Sequence, residues 1–229
     1  MGRILLVEDE DNLGATLKEF LQSSGHPCNW ARTATEAKKL FSQTPPEIVL
    51  MDIGLPDQSG LELAKEFRRQ RKDFVLLFLS AQNAPEIRLE GLELGAQDYI
   101  TKPFALKELI LRLTRILEQN QKFQSFKGTI QHGPLKIWFD RYEVQDAEGQ
   151  IIPLTQKECA ILSLLYKNQN IVIERDTIID EVWGADAFPS SRTVDNYMVK
   201  LRRWCESDLK KSIEIVSIRG IGYKLIINN

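Results

Sequence analysis

Five polar side chains stand directly after apolar, strand-like runs in the first half of the chain. They are Glu8 and Asp9 after residues 3–7, Asp52 after 48–51, Ser80 after 74–79 and Lys102 after 99–101. In an open parallel sheet, ligands bind outside the carboxyl ends of the strands. If these runs are parallel strands of one sheet, the five side chains converge on one crevice at its edge.

The chemistry of these side chains suits a phosphoryl group held beside a divalent cation. Three carboxylates that lie close together repel one another, so they are stable mainly with a cation among them. Oxygen ligands suit Mg²⁺, which is commonly held by one or two carboxylates together with phosphate oxygens. Asp52 is then the expected nucleophile, with Mg²⁺ and the Lys102 ammonium balancing the charge on the phosphoryl oxygens. Ser80 is placed to hydrogen-bond one of those oxygens.

Each residue alone also has a plainer interpretation. An acidic pair after a strand often serves a helix N-terminus, and an aspartate before Gly-Leu-Pro is often a turn residue. Ser80 alone is typical of a helix N-cap, and Lys102 alone of a solvated surface. Four such strand ends in one alternating pattern favour a shared site over four coincidences.

The sequence around these residues resembles the receiver domain of two-component response regulators. The runs that carry the resemblance are 5–10, 51–56 and 94–104, and it covers about residues 1–119. It implies that Asp52 is the phospho-acceptor, that Lys102 contacts the phosphoryl group, and that Ser80 and Tyr99 form a switch pair. It also implies an Mg²⁺ site formed by Glu8, Asp9, Asp52 and the backbone carbonyl of Gly54. The peptide bond between Lys102 and Pro103 is expected to be cis.

Length and composition agree with a globular, two-domain chain. The 229 residues exceed one typical domain of ~100–150 residues. The chain is 43% hydrophobic and 27% charged, with a net charge of −2. No apolar run approaches the ~20 residues of a membrane span, and residues 1–3 lead into a strand instead of a signal peptide. We therefore expect a cytoplasmic protein without a membrane partner.

Cys28, Cys159 and Cys205 are widely spaced and are expected to be reduced and structural.

Helical stripes alternate with strand-like runs through the first half. Five such βα units predict an α/β fold, a flavodoxin-like doubly wound (βα)5 domain with a parallel sheet covered on both faces. The polar segment 120–127 breaks this alternation and is predicted to be a linker.

The second half has a different pattern, typical of an α+β domain over residues 128–229. Short strand-like runs at 135–139, 142–145 and 151–152 precede a helix whose start carries a capping box, Thr155 with Glu158. Helices at 175–183 and 191–205 follow, and a hairpin at 213–227 closes the chain.

Charge separates the two parts of this second half. Residues 128–189 carry 5 basic and 10 acidic side chains, whereas residues 190–229 carry 8 basic and 4 acidic ones. The cations of a nucleic-acid surface are therefore expected among Arg192, Lys200, Arg202, Arg203, Arg219 and Lys224. A solvated basic helix is the alternative that charge alone leaves open.

The tract 191–203, with 219–224 in the hairpin, resembles the winged helix-turn-helix effector domain of OmpR/PhoB-type transcription factors. In that family a recognition helix enters the major groove and the wing reaches the neighbouring minor groove. The resemblance implies DNA contacts by Arg192, Lys200 and Arg202, with Asp195 and Asn196 nearer base edges. It places Ser217, Arg219 and Tyr223 in the wing as further DNA-binding residues, and Val194 and Leu201 toward the core.

The combined resemblance predicts a transcription-controlling response regulator and not a stand-alone enzyme. It implies phosphoryl transfer from a sensor histidine kinase, with the receiver catalysing its own Mg²⁺-dependent phosphorylation and dephosphorylation. It further implies binding to direct repeats in double-stranded DNA and contact with RNA polymerase. Homodimerisation on phosphorylation is expected through the receiver face of the fourth helix, fifth strand and fifth helix. Arg88 with Glu108 and Asp98 with Arg112 correspond to the ion pairs of that interface in the family.

Two alternatives to this prediction are a regulator that acts without phosphorylation and a stand-alone Mg²⁺-dependent phosphotransferase. Intact Asp9, Asp52 and Lys102 disfavour the first. The absence of a P-loop and of a second aspartate after Asp52, together with the DNA-binding half, disfavours the second.

Overall fold

The first half of the chain forms a five-stranded parallel sheet with helices on both faces. The computed structural model describes residues 2–81, 84–123, 128–184 and 191–228. In the first half these form β1 (Ile4–Val7), α1 (Asp11–Ser23), β2 (Cys28–Ala31), α2 (Ala34–Gln43), β3 (Ile48–Asp52), α3 (Gly60–Gln70), β4 (Val75–Ser80), α4 (Pro85–Glu93), β5 (Asp98–Thr101) and α5 (Leu106–Phe123). The predicted (βα)5 architecture is confirmed.

The strand order β2-β1-β3-β4-β5 brings the chemistry-bearing strand ends together. Every neighbouring pair in this sheet is parallel. The chain reverses its winding direction between β1 and β3, and such a switch point opens a crevice at the carboxyl ends of the two strands. Glu8 follows β1, and Asp52 ends β3.

Alternate strand residues supply two apolar layers, one for each face of the sheet. Leu5 and Val7 pack in the layer that contains α2 and α3, whereas Ile4 and Leu6 pack in the layer that contains α1 and α5. This period of two follows from the pleat, which points successive side chains to opposite faces. Since both faces are covered, the central strands β1, β3 and β4 are apolar almost throughout, with polar residues only at the ends of β3 and β4.

The second half combines two antiparallel sheets with three helices. Its elements are β6 (Ile130–His132), β7 (Leu135–Trp138), β8 (Glu143–Gln145), β9 (Ile151–Pro153), α6 (Gln156–Lys167), β10 (Ile173–Glu174), α7 (Arg175–Val182), α8 (Ser191–Cys205), β11 (Ile213–Ile218) and β12 (Gly222–Ile227). The strands pair as β6-β7-β8-β9 and as β10-β12-β11. The predicted capping box of α6 is present, with the Thr155 amide donating to Glu158 at 2.7 Å.

The segment predicted as a linker is helical in its first part. Helix α5 continues to Phe123, and the remaining residues 124–127 lie outside the described part of the chain. Two units, Met1–Leu117 and Glu118–Asn229, separate by their internal contacts. The domain boundaries 1–119 and 128–229 stay a prediction.

Three further observations concern the chain as a whole. The three cysteines are buried free thiols, as their spacing predicts. The Lys102–Pro103 peptide bond is cis. Among the described residues, no helix has the length and apolar character that a membrane crossing requires.

Candidate functional site

Three carboxylates meet at the carboxyl ends of β1 and β3. Ligand oxygens of Glu8, Asp9 and Asp52 all lie within 4.8 Å of one another. Glu8 is fully buried and Asp52 is 7% exposed, while Asp9 is open to solvent. The convergence predicted from the strand ends is therefore present for the acidic residues.

Lys102 completes this acidic cluster from the end of β5. Its Nζ donates to Glu8 Oε1 at 2.7 Å and also to Asp52 Oδ2. Burial lowers the pKa of Lys102, but the hydrogen bonds to Asp52 and Glu8 outweigh it, so the net pKa is raised and the ammonium form is held. Burial raises the pKa of Glu8, and Lys102 opposes that rise.

The donor set of the acidic cluster fits a divalent cation. When all four groups are ionised, three carboxylates and one ammonium leave two negative charges. Glu8 Oε2 is buried and has no hydrogen-bond partner within the described ranges. A buried carboxylate oxygen without a partner is costly in a folded protein. Oxygen donors of this kind are those that Mg²⁺ prefers.

The backbone after Asp52 is fixed at several points. The Gly54 amide donates to Asp52 Oδ1 at 3.0 Å, and the Gly60 amide donates to the carbonyl of Ile53 at 2.9 Å. A Cβ on Gly60 would lie 2.0 Å from the Asp52 carbonyl oxygen, so this close approach requires glycine. Asp57 accepts hydrogen bonds from the amides of Ala34 and Thr35 and so ties the loop to α2. The role of the Gly54 carbonyl as a metal ligand stays a prediction.

Ser80 and Tyr99 lie on the neighbouring strands β4 and β5 and are both buried. Burial raises the pKa of Tyr99, and a side-chain hydrogen bond with Ser80 opposes that rise. The two residues implied as a switch pair are therefore in contact. The Arg88 guanidinium lies 5.8 Å from the Tyr99 ring centroid.

The predicted dimer face contains ion pairs within one chain. Arg112 binds Asp98 Oδ2 at 2.7 Å and Glu108 Oε1 at 2.9 Å. Leu111, one residue earlier on α5, is 71% exposed. An intermolecular pairing of Asp98 with Arg112 and of Arg88 with Glu108 would thus have to exchange partners, and it stays a prediction.

In the second unit, α8 presents a basic exposed face and an apolar buried face. Arg192, Lys200 and Arg203 are exposed, and Asn196 is half-buried. Val194 and Leu201 are buried, as predicted. Arg219 is exposed in the turn that joins β11 to β12. These cations are placed to meet a polyanion from one helix and one hairpin.

Asp195 and Arg202 have partners inside the protein. Asp195 Oδ1 accepts from the Tyr223 hydroxyl at 2.6 Å and from Arg175 Nε at 2.9 Å. Arg202 donates to the Ile215 carbonyl and to Ser217 Oγ, both at 2.7 Å. In this structure both side chains fasten α8 to neighbouring elements, so their expected DNA contacts stay predictions.

Arg175 is a site residue that the sequence patterns do not identify. It is the first residue of α7, and its guanidinium lies 4.8 Å from the Tyr223 ring centroid. Burial, followed by the hydrogen bond to Asp195, raises the pKa of Tyr223. The only sequence signal is a lone arginine in an acidic segment, which does not specify a partner 20 residues away.

Comparison with known proteins agrees with this geometry. Residues 4–114 match the family model described as "Response regulator receiver domain", and residues 149–225 match "Transcriptional regulatory protein, C terminal". The chain is 36% identical over 231 residues to the alkaline phosphatase synthesis transcriptional regulatory protein PhoP of Bacillus subtilis (strain 168), covering 97% of this chain and 96% of that protein.

Two solved structures extend the similarity over both units. A mutant of RitR matches with a TM-score of 0.74 and 26% identity, over 98% of this chain and 99% of that one. Response regulator DrrB of Thermotoga maritima, described as an OmpR/PhoB homolog, matches with a TM-score of 0.50 and 30% identity over 99% of both chains. This chain therefore belongs to the OmpR/PhoB-type response regulators of two-component systems, with a receiver domain followed by a winged-helix DNA-binding domain that serves transcription regulation.

Proposed function

We propose that Asp52 accepts a phosphoryl group from a sensor histidine kinase and that this modification controls DNA binding by the second domain. The observation that carries the proposal is the contact of one ammonium, Lys102, with both Glu8 and Asp52 in the acidic cluster. An ammonium that is 15% exposed, held at a carboxylate that is 7% exposed, is the arrangement that an incoming phosphoryl group needs for charge balance.

The transfer forms one bond and breaks one. A carboxylate oxygen of Asp52 attacks phosphorus, and the bond between phosphorus and the donor nitrogen of a phosphohistidine breaks. The leaving imidazole takes up the electron pair, and an acyl phosphate remains on Asp52. Lys102 and Ser80 are the side chains available to bind the phosphoryl oxygens.

Magnesium is the proposed cofactor, with Glu8, Asp9, Asp52 and the Gly54 carbonyl as its ligands. Two observations support this assignment: Glu8 Oε2 has no hydrogen-bond partner among the described residues, and the cluster has a residual negative charge. When bound, the ion would neutralise charge on the phosphoryl oxygens. These residues would hold the ion beside Asp52, at the site of attack.

The test uses a small phosphoryl donor and a matched pair of variants. With Mg²⁺ and acetyl phosphate, the wild-type chain should gain the mass of one phosphoryl group, in a form that is stable in acid and labile in base. Asp52→Asn should gain none. Asp57→Asn, a matched change five residues later in the same loop, should still be labelled. Labelling of Asp52→Asn at the native site would contradict the proposal.

Dimerisation through α4, β5 and α5 is the proposed consequence of phosphorylation. The contact between Ser80 and Tyr99 supports it, because a phosphoryl group bound by Ser80 would alter the surroundings of Tyr99 and of Arg88. Phosphorylation would then favour the paired form by population shift. If phosphorylated Arg88→Glu dimerises as well as wild type and Glu108→Arg has no effect on it, the interface lies elsewhere.

The paired receivers would place two winged-helix domains on one DNA duplex. We expect the preferred site to be a direct repeat with a spacing of ~10–11 bp, about one helical turn. Arg192, Asn196 and Lys200 of α8 and Arg219 of the wing are the proposed contacts. The three cations are exposed and Asn196 is partly exposed, which supports this assignment. RNA polymerase is the proposed partner of the DNA-bound dimer.

A further inference from the structure

The loop that carries two of the three carboxylates is held from the side by an aromatic residue. Trp30 lies on β2, and its indole Nε1 donates to the backbone carbonyl of Glu8 at 2.8 Å. The Glu8 amide donates to the Ala31 carbonyl at 3.0 Å. Both backbone polar groups of Glu8 are thus bound to β2, and one of them is bound through a side chain.

The indole ring also packs closely on the first turn of α1. A Cβ on Gly14 would lie 2.3 Å from Cε2 and Cζ2 of Trp30, so the ring occupies the space that a side chain would need. Gly14 in turn donates its amide to the Glu10 carbonyl at 2.8 Å. The ring therefore contacts the helix that begins directly after the loop 8–10.

The indole also lies beside a surface ion pair. The Arg32 guanidinium lies 4.3 Å from the Trp30 ring centroid and binds Asp11 Oδ1 at 2.6 Å. Asp11 is the first residue of α1. The indole thus contacts both the start of α1 and a cation that is itself bound to α1.

We propose that Trp30 is a positioning residue for the divalent cation, acting through the carbonyl of Glu8. The inference rests on the proposed function, since the loop 8–10 matters to catalysis only if Glu8 and Asp9 bind the ion. Preorganised ligands bind a metal more tightly than mobile ones, and partners of the ligating residues contribute to affinity without touching the metal. A purely structural role, as a residue packed on the α1 and α5 layer, would change stability and leave cation affinity unaltered.

The test compares Trp30→Phe with a core variant on the other face of the sheet. Phenylalanine keeps a ring and removes the N–H donor. Phe41→Leu is the control, because Phe41 is buried against Phe67 in the other apolar layer. Binding of Mn²⁺ to the full-length chain is measured by the loss of the electron paramagnetic resonance signal of the free ion. This measurement reports cation affinity and does not depend on tryptophan fluorescence. Urea unfolding reports stability.

Trp30→Phe should weaken Mn²⁺ binding by about threefold to tenfold, the effect of losing one buried hydrogen bond to a ligand-bearing loop. Gly14→Ala, which drives a methyl group into the indole, should weaken it in the same direction. Phe41→Leu should lower stability and leave Mn²⁺ affinity within twofold of wild type. Affinity within twofold of wild type in either Trp30→Phe or Gly14→Ala would overturn the positioning role.

Failure of the proposed function gives a different result. If wild type binds Mn²⁺ and is phosphorylated on Asp52 while Trp30→Phe binds Mn²⁺ equally well, the proposed function stands and the role of Trp30 is overturned. If wild type binds no Mn²⁺, both are overturned.

Discussion

The two units of this chain satisfy their charged side chains in opposite ways. In the receiver, three carboxylates lie close together, one ammonium binds two of them, and one buried oxygen of Glu8 has no partner among the described residues. In the winged-helix domain, Asp195 is bound by Arg175 and Tyr223, and Arg202 is bound by the β11 backbone and Ser217. The receiver cluster therefore leaves a buried carboxylate oxygen unpaired within the described residues, whereas the Asp195 carboxylate accepts from two donors.

This difference distinguishes residues that take part in a reaction from residues that hold neighbouring elements in place. An unsatisfied buried charge costs stability, and proteins retain it mainly where a ligand or a reaction makes use of it. A satisfied cluster at a surface contributes shape and orientation. The cations with no protein carboxylate bound to them in the described structure, such as Arg219 on the wing, are then the candidates for phosphate contact.

The largest expected effect concerns removal of one cation from each cluster. Lys102→Gln should lower the receiver's free energy of unfolding by about 3 kcal/mol, because it leaves two buried carboxylates without their counter-charge. Arg175→Gln should cost less than about 1 kcal/mol, since its partner Asp195 is 46% exposed. Hydrogen exchange, which reports each unit separately, measures both values. Equal losses of unfolding free energy in the two units would show that the two clusters do not differ in this way.

The next effect concerns the wing. Arg219→Ala should weaken binding to all duplexes and reduce the slope of log affinity against log salt by about one unit, because one phosphate contact is lost. Fluorescence anisotropy at several salt concentrations measures this slope. Lys210→Ala, an exposed change in the turn between α8 and β11, is the matched control and should leave the slope unaltered. Identical slopes for Arg219→Ala and wild type would exclude Arg219 as a phosphate contact.

A smaller effect distinguishes Asp195 from its neighbour Asn196. If Asp195 holds α8 to the hairpin, Asp195→Ala should reduce affinity by about 1 kcal/mol or less for every sequence and leave the preferred bases unaltered. Asn196→Ala should change the preferred base at one position, since base-edge contacts carry specificity. Selection of bound sequences from a random pool measures both variants. A changed base preference in Asp195→Ala would restore the expectation that this carboxylate reads DNA.

The sequence predicts that the receiver carboxylates and Lys102 meet at one edge of the sheet, because its signals are local. Each chemical residue follows its own apolar run, and parallel topology alone brings the strand ends together. Trp30 and Arg175 give no such signal, because their partners lie 22 and 20 residues away and only the folded chain joins them.

Short strands and the end of α5 show a second limit of prediction from the sequence. Strand β10 has only two residues and forms because β12 pairs with it. A segment of two residues is too short to show the alternating hydrophobic pattern that predicts a strand. Residues 120–123 were predicted as linker from their polarity, yet they continue α5. Gln and Lys are good helix formers, and polarity alone does not end a helix.

The smallest expected effect tests whether the distinction between reacting and holding charges applies residue by residue. Asp57 lies in the receiver, five residues after Asp52, but its carboxylate is satisfied by the start of α2. Slight burial raises the pKa of Asp57, and hydrogen bonds from Ala34 and Thr35 outweigh this, so the net pKa is below its ordinary value of 3.8. A lowered pKa in the folded state contributes stability above pH 3.8, and that contribution is lost as pH falls through the folded pKa.

Asp57→Asn should therefore be less stable than wild type at pH 7 by about 0.5 kcal/mol, because a neutral cap replaces a charged one at a helix N-terminus. The difference should begin to shrink as the pH falls below 3.8 and should be lost only below the folded pKa, and urea unfolding between pH 3 and 7 measures its onset. Because the same variant should still accept a phosphoryl group on Asp52, it separates a carboxylate that holds the loop from one that reacts. A stability difference that persists unchanged at pH 3 would show that Asp57 acts through packing and not through its charge.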